Sequence, residues 1–190
     1  MIEIPTIDGL SRDQVLTLMN CRSYKQYLSM ISDYEAGRCP FCDPLDEKNK
    51  VLHSALGWRV WENPYSLTHT SLHLIMAPQQ HTTSIEDISP SDFEAMGRIF
   101  KWVRYQFNLQ GGAFAMRFGS PQFNAGSVLH LHANIIVPDH SGAVQITLAK
   151  DTAKVEETIA RMKVFEKLRG NTAPVGLSDK EAALIEGRLT

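Results

Sequence analysis

Polar and apolar positions alternate one by one between Gly126 and Pro138, a pattern that predicts a strand exposing one face and ending at a proline. In Gly126-Ser-Val-Leu-His130-Leu-His132-Ala-Asn134-Ile-Ile-Val-Pro138, residues Val128, His130, His132, Asn134 and Ile136 share one face, and Leu129, Leu131, Ala133, Ile135 and Val137 share the other. The second set has no polar side-chain atom, so it is the side that enters a core. His130, His132 and Asn134 then stand in a row, each about 6.5–7 Å from the next.

The same reading along the chain predicts the remaining elements. Ser11 and Gln14 offer a capping box, and Val15, Leu18, Met19, Tyr27, Leu28 and Ile31 recur at helical spacing up to Gly37, which predicts an amphipathic covering helix. Residues 51–62 are rich in β-formers but interrupted by Gly57, so they predict one or two short strands. Asn63-Pro64-Tyr65 signals a turn. Residues 71–78 predict a strand with Leu72, Leu74 and Met76 on one face and His73 opposite. Ser89, Pro90 and Asp92 mark a helix start, and Phe93, Met96, Phe100, Val103 and Phe107 supply a stripe assigned to the core. Gly111-Gly112 reverses the chain into a strand over 113–118 that presents Phe114, Met116 and Phe118 together. A turn over 139–142, one more strand over 144–148, a helix over 151–168 and a last short helix capped by Ser178 and Glu181 complete the list. Hairpin-like strands joined through one long central helix predict an α+β architecture, an antiparallel sheet with helices on one side.

A chain of 190 residues with 43% hydrophobic and 21% charged positions is long enough for one domain with a true core. The pattern divides it into a helical extension over 1–38, a central domain over 39–150 and a second helical extension over 151–190. Nineteen basic against twenty-one acidic residues create no general field favouring polymeric nucleic acid or an acidic membrane. A small nucleotide needs only a local pocket and stays open. No basic segment followed by an apolar run opens the sequence and no stretch approaches a membrane span, so a cytoplasmic protein is the expectation. Three cysteines without a secretory signal argue against a disulfide scaffold.

Cys39 and Cys42, in Cys-Pro-Phe-Cys, form half of a zinc site, because paired thiolates suit a soft or borderline cation. Taken alone the pair leaves redox use, structural zinc and coincidence open, although its surroundings are not the strand-to-helix setting of a thioredoxin-like site. With no second such pair, the remaining ligands must be histidine or carboxylate. His81, in the loop after Pro78, and His130 are the best candidates; either is otherwise a hydrogen-bonded or surface histidine. Two cysteines and two histidines leave no open coordination position, so such a zinc would be structural and would tie the N-terminal segment to the histidine strand.

His130-Leu-His132-Ala-Asn134-Ile-Ile-Val, preceded by Ala125-Gly-Ser127-Val, resembles the signature of the histidine triad (HIT) superfamily. Upstream, Asn63-Pro-Tyr65 and His73-Leu-Ile-Met-Ala-Pro-Gln-Gln-His81 resemble that family's asparagine turn and its histidine, apolar run, proline, histidine pattern. The resemblance runs from Cys39 to Pro138. The Cys-Pro-Phe-Cys start is similar to zinc-containing members, among them dinucleoside polyphosphate hydrolases and phosphorylases and hexose-1-phosphate uridylyltransferases. It implies a HIT-like fold and a structural zinc on Cys39, Cys42, His81 and His130. It also implies that His132 attacks the α-phosphorus of a nucleotide or dinucleoside polyphosphate and forms a nucleotidyl-histidine. By the same resemblance Ser127 meets the leaving-group side or a phosphate oxygen, and Asn63 approaches the ribose. Gln122 and Asn124 are candidate hydrogen-bond donors to the phosphoryl group, each otherwise a loop cap. A homodimer, made by continuing the sheet and packing helices across subunits, is implied as well.

Asn134 departs from the pattern, since the family usually carries histidine there, or glutamine in the transferase and some phosphorylase branches. A carboxamide donates a hydrogen bond but supplies no proton to a poor leaving group. This favours substrates whose leaving group carries charge well, such as a phosphate. The alternatives are a nucleotide-binding or signalling module with little or no turnover, and a purely structural zinc protein.

Overall fold

The computed structural model of the chain describes residues 18–42, 50–119, 121–148 and 164. The chain groups into two compact units, 40–120 with 130–147, and 1–39 with 121–129 and 148–190. The first holds the whole sheet: β1 (Val51–Ala55), β2 (Trp58–Glu62), β3 (Thr70–Pro78), β4 (Ala113–Arg117) and β5 (His132–Pro138). All neighbours are antiparallel, in the order β1-β2-β3-β5-β4. With the helix Pro90–Gln106, which covers one side, this is the α+β class that the sequence predicts. Among the described residues no helix is long and apolar enough to cross a membrane.

Leu56 and Gly57, at φ 47° and 80°, make the two-residue turn between β1 and β2. Two left-handed residues in succession match the twist of paired strands, which is why Gly57 splits the 51–62 segment into two strands. Gly112, at φ 151°, lies against β5 so closely that a Cβ would stand 2.5 Å from the Ile136 carbonyl oxygen. Only glycine fits there, immediately before β4.

The covering helix begins where expected, with Pro90 in its first turn. The Asp92 carboxylate accepts from the Ser89 backbone N–H at 2.8 Å and its hydroxyl at 2.6 Å, and also from Trp58 Nε1 at 2.7 Å. These bonds, from Ser89 first and then Trp58, hold the Asp92 pKa below the ordinary aspartate value and fasten the helix start to β2. The buried side of the helix differs from the predicted stripe. Ala95, Met96, Ile99 and Val103 pack on Trp58, Val60, Leu74, Met76, Ala133 and Ile135, with Phe107 partly buried at the margin. Phe93 is 61% exposed and Phe100 39%, and Phe100 stands edge-on to Phe114 of β4 at 6.0 Å. The aromatic repeat therefore marks the flank of the helix, and the smaller residues Ala95 and Ile99 mark the side that approaches the sheet.

In the other unit, α1 (Tyr24–Ala36) is shorter than predicted. Ser23 accepts from Gln26 N at 3.2 Å while the Gln26 side chain accepts from Arg22 N at 2.8 Å, so the helix starts afresh after a single 3-10 turn at Leu18–Asn20. Gly37, at φ 64°, ends it as expected. Tyr27 and Ile31 are buried, but Leu28 is exposed. Residues 144–148 are not a strand, contrary to expectation. The Ser11 capping box, the 151–168 helix and the short helix at Ser178 lie outside the described residues.

The contrast on the covering helix predicts unequal costs of truncation. Ile99→Ala, which empties a fully buried position, should destabilise by about 2–5 kcal/mol, whereas Phe93→Ala should cost well under about 1 kcal/mol. Urea unfolding of both variants beside the parent chain checks this.

Candidate functional site

Residues paired across neighbouring strands share a face of the sheet. The registers therefore set Trp61, Ile75, Asn134 and Ala115 in one row on the side opposite the covering helix. His73, Ile136 and Ala113 form the row on one side of it, and His132 with Arg117 the row on the other. His132 and Asn134 thus share a face, as the alternation predicts, and the small residue Ala115 lies beside Asn134.

His130 does not continue that strand. β5 begins at His132, and His130 lies in a bend before it, 1% exposed. Its Nε2 donates to the Pro78 carbonyl at 2.9 Å, which leaves Nδ1 as the unprotonated nitrogen, 3.5 Å from Cys42 Sγ. His81 Nδ1 lies 3.3 Å from the same sulfur. The ligand atoms of Cys39, Cys42, His81 and His130 all fall within 4.8 Å of one another. A tetrahedral zinc with Zn–S near 2.3 Å and Zn–N near 2.0–2.1 Å separates sulfur from nitrogen by about 3.5–3.6 Å, close to both distances. The donor set and its spacing fit zinc. Four protein donors make the site a structural one, and the bond to Pro78 fixes the tautomer that presents the His130 lone pair.

Phe41, inside the Cys-Pro-Phe-Cys turn, packs edge-on against His132 at 5.2 Å, His130 at 5.9 Å and Trp61 at 5.2 Å. Buried Arg59 donates to its carbonyl and stands over the Trp61 ring at 5.9 Å. No periodicity singled out Phe41; the one available signal was its place between two metal-ligating cysteines.

His132 Nδ1 donates to the His130 carbonyl at 2.7 Å, so Nε2 carries the lone pair. Burial pushes the ring's pKa down to about 4, the bond to the His130 carbonyl acts in the opposite direction, and the charge of Arg117 lowers it further. The imidazole is therefore neutral at pH 7.

Asn134 is oriented by His73, which the sequence placed on the strand face opposite Leu72, Leu74 and Met76. Leu67 N donates to His73 Nδ1 at 3.1 Å, so the His73 proton is on Nε2, which donates to Asn134 Oδ1 at 3.0 Å. With its oxygen occupied, Asn134 has its NH₂ as the remaining hydrogen-bonding group, a donor. Asn63 lies beside the same ring, its Nδ2 3.2 Å from His73 Nε2, and its Oδ1 accepts from Tyr65 N at 2.9 Å. Asn63, His73 and Asn134 are thereby brought together.

The other predicted residues belong to the second unit. Ser127 accepts from Gln26 Nε2 at 3.3 Å. Asn124 Oδ1 accepts from Gly126 N at 2.7 Å around Ala125, which is left-handed at φ 52°, so Asn124 acts as a loop cap. Gln122 lies in the short helix Pro121–Asn124.

No family model matches this sequence, and no curated protein matches it. Solved structures similar in fold include a hypothetical protein from Leishmania major, 17% identical with a TM-score of 0.47, covering 71% of this chain and 98% of that one. A HIT family hydrolase from Clostridium thermocellum is 17% identical with a TM-score of 0.43, covering 56% of this chain and 95% of that one. A Zn-bound histidine triad family protein from Mycobacterium smegmatis is 18% identical with a TM-score of 0.40, covering 66% and 89%. At such identities and scores the likeness carries nothing about this chain's chemistry.

The donor geometry predicts about one zinc per chain by elemental analysis of the purified protein. Cys42→Ser should lose most of it, and a strong chelator should lower the unfolding temperature of the parent chain but leave that of Cys42→Ser nearly unchanged. Equal zinc content in the two proteins would remove the site.

Proposed function

We propose that this chain is a nucleotidyl hydrolase or transferase acting on dinucleoside polyphosphates or related nucleoside phosphate esters through a nucleotidyl-His132 intermediate. The observation that supports it is the His132 ring, neutral at pH 7, its proton held on Nδ1 by the His130 carbonyl and its Nε2 lone pair left available. A neutral, oriented imidazole is a competent nucleophile toward phosphorus. Nε2 attacks, the bond from phosphorus to the leaving oxygen breaks, and the leaving group departs as an anion. The ring becomes positive in the intermediate, and the bond to the His130 carbonyl stabilises that charge. Water or a phosphate then takes the nucleotidyl group and restores the free ring; when water is the acceptor its proton passes to solvent.

Asn134, aimed by His73, donates to a phosphoryl or bridging oxygen. It has no proton to give a leaving amine, which favours departing phosphates over phosphoramidates. By resemblance Ser127 is assigned to the phosphate side and Asn63 to the ribose side, and Gln122 is a candidate donor to the phosphoryl group. Zinc, held by Cys39, Cys42, His81 and His130, supplies rigidity and takes no part in bond exchange.

Intact mass after brief mixing with a panel of dinucleoside polyphosphates and nucleotide esters should reveal one added nucleotidyl group, and His132→Asn should abolish both adduct and turnover while keeping the zinc. No adduct and no product across the panel would refute the reading. In that case nucleotide affinity measured by calorimetry would favour the second reading, a binding module, which the absence of an acid at position 134 motivates.

A homodimer is part of the same proposal. Its support is the outermost position of β4 together with the exposed aromatic rings Phe93, Phe100 and Phe114. Light scattering should give twice the chain mass in solution, and a single-chain mass over the working concentration range would count against it.

A further inference from the structure

We infer that Arg117 is the cation that binds the phosphoryl group attacked by His132, and that it makes this face selective for an anionic phosphate ester; the inference rests on the nucleotidyl-transfer reading and extends it to a residue with no assigned role.

The register pairs Arg117 of β4 directly with His132 of β5. Directly opposed residues in an antiparallel pair point to the same side of the sheet, with Cα atoms about 4.5–5.5 Å apart. Arg117 therefore leaves the sheet on the same face as His132 and Asn134, one strand away. Its side chain is half-buried, and burial draws its pKa below the ordinary arginine value, yet a guanidinium keeps its proton at any working pH. Its Nη1 also donates to the Thr147 carbonyl at 3.5 Å, which restrains the side chain.

Beside His132, the Arg117 guanidinium brings a fixed positive charge and planar N–H donors suited to non-bridging phosphoryl oxygens. Arg117 on one side and the Asn134 NH₂ on the other would then share the charge that builds on those oxygens as the leaving group departs. A cation that carries charge without donating its proton suits a leaving group that is already stable as an anion, the same class that Asn134 favours. Hence the substrate is recognised through an ionised phosphoryl group, and a neutral nucleoside alone should not hold to this face.

The test is calorimetry with AMP, adenosine and inorganic pyrophosphate on the zinc-loaded chain and on Arg117→Gln and Arg117→Lys. Wild type should prefer AMP to adenosine at least tenfold. Arg117→Gln should weaken AMP by about 10- to 100-fold and Arg117→Lys by clearly less. Equal affinity for AMP and adenosine, or AMP binding unchanged in Arg117→Gln, would overturn the assignment. If the glutamine variant fails to fold, Arg117→Met is read in its place by the same criterion. Adduct formation on His132 is scored separately. An adduct that forms equally well in Arg117→Gln refutes the role of Arg117 and leaves nucleotidyl transfer standing. Arg117-dependent binding of AMP or pyrophosphate without any adduct leaves the anion site standing and refutes the transfer.

Discussion

The carbonyl of His130 decides what the neighbouring imidazole can do. In a regular strand that carbonyl would be taken by the sheet ladder, and the ring two residues on would have to find another partner. Because β5 starts only at His132, the His130 carbonyl is released to accept from His132 Nδ1 at 2.7 Å. The same bend turns the His130 ring so that one nitrogen is satisfied by Pro78 and the other faces Cys42. One residue thus serves the metal with its side chain and sets the tautomer of the next histidine with its backbone. A zinc that immobilises the His130 ring also immobilises that carbonyl, which links a structural ion to the orientation of the His132 ring.

The sheet separates stability from chemistry by its two faces. Trp58, Val60, Leu74, Met76, Ala133 and Ile135 pack against the covering helix and form the apolar core. The residues that alternate with them on the opposite face include Arg59, Trp61, His73, His132, Asn134 and Arg117. Strand alternation makes this division obligatory: a shift by one residue in β5 would exchange His132 and Asn134 for Ala133 and Ile135 and ruin both faces at once. Apolar burial on one side therefore fixes which polar groups assemble on the other. His73 shows the arrangement at its tightest, since one backbone N–H sets its tautomer and that tautomer sets which way Asn134 points.

Much of this was legible in the chain. The Leu72, Leu74, Met76 face, the interruption at Gly57, the helix start at Ser89-Pro90 and the outward row of His132 and Asn134 all follow from periodicity and local backbone preference, which act over a few residues. The four zinc donors were legible from the chemistry of their side chains once one cysteine pair required partners. Other expectations failed where a choice among apolar residues depended on what lay opposite. Phe93 and Phe100 lie at the helix flank, exposed, because the sheet accepts Ala95 and Ile99 at closest approach. Leu28 is exposed, and α1 starts after Ser23, where the Ser23 and Gln26 side chains take backbone N–H groups of its first turn and of Arg22.

Sequence alone, then, determined the fold class and the two faces of the central strands, since these depend on residue type and short-range spacing, and it named His81 and His130 as the best candidates to complete the cysteine pair. Only the tertiary structure decided which nitrogen of His73, His130 and His132 carries its proton, that the Asn134 oxygen is taken by His73, that Phe41 packs edge-on against the His132 ring and that Arg117 stands across from it. Each of those depends on a partner brought in from a distant strand or loop, and a linear pattern of polar and apolar residues carries no record of which carbonyl or which cation will arrive.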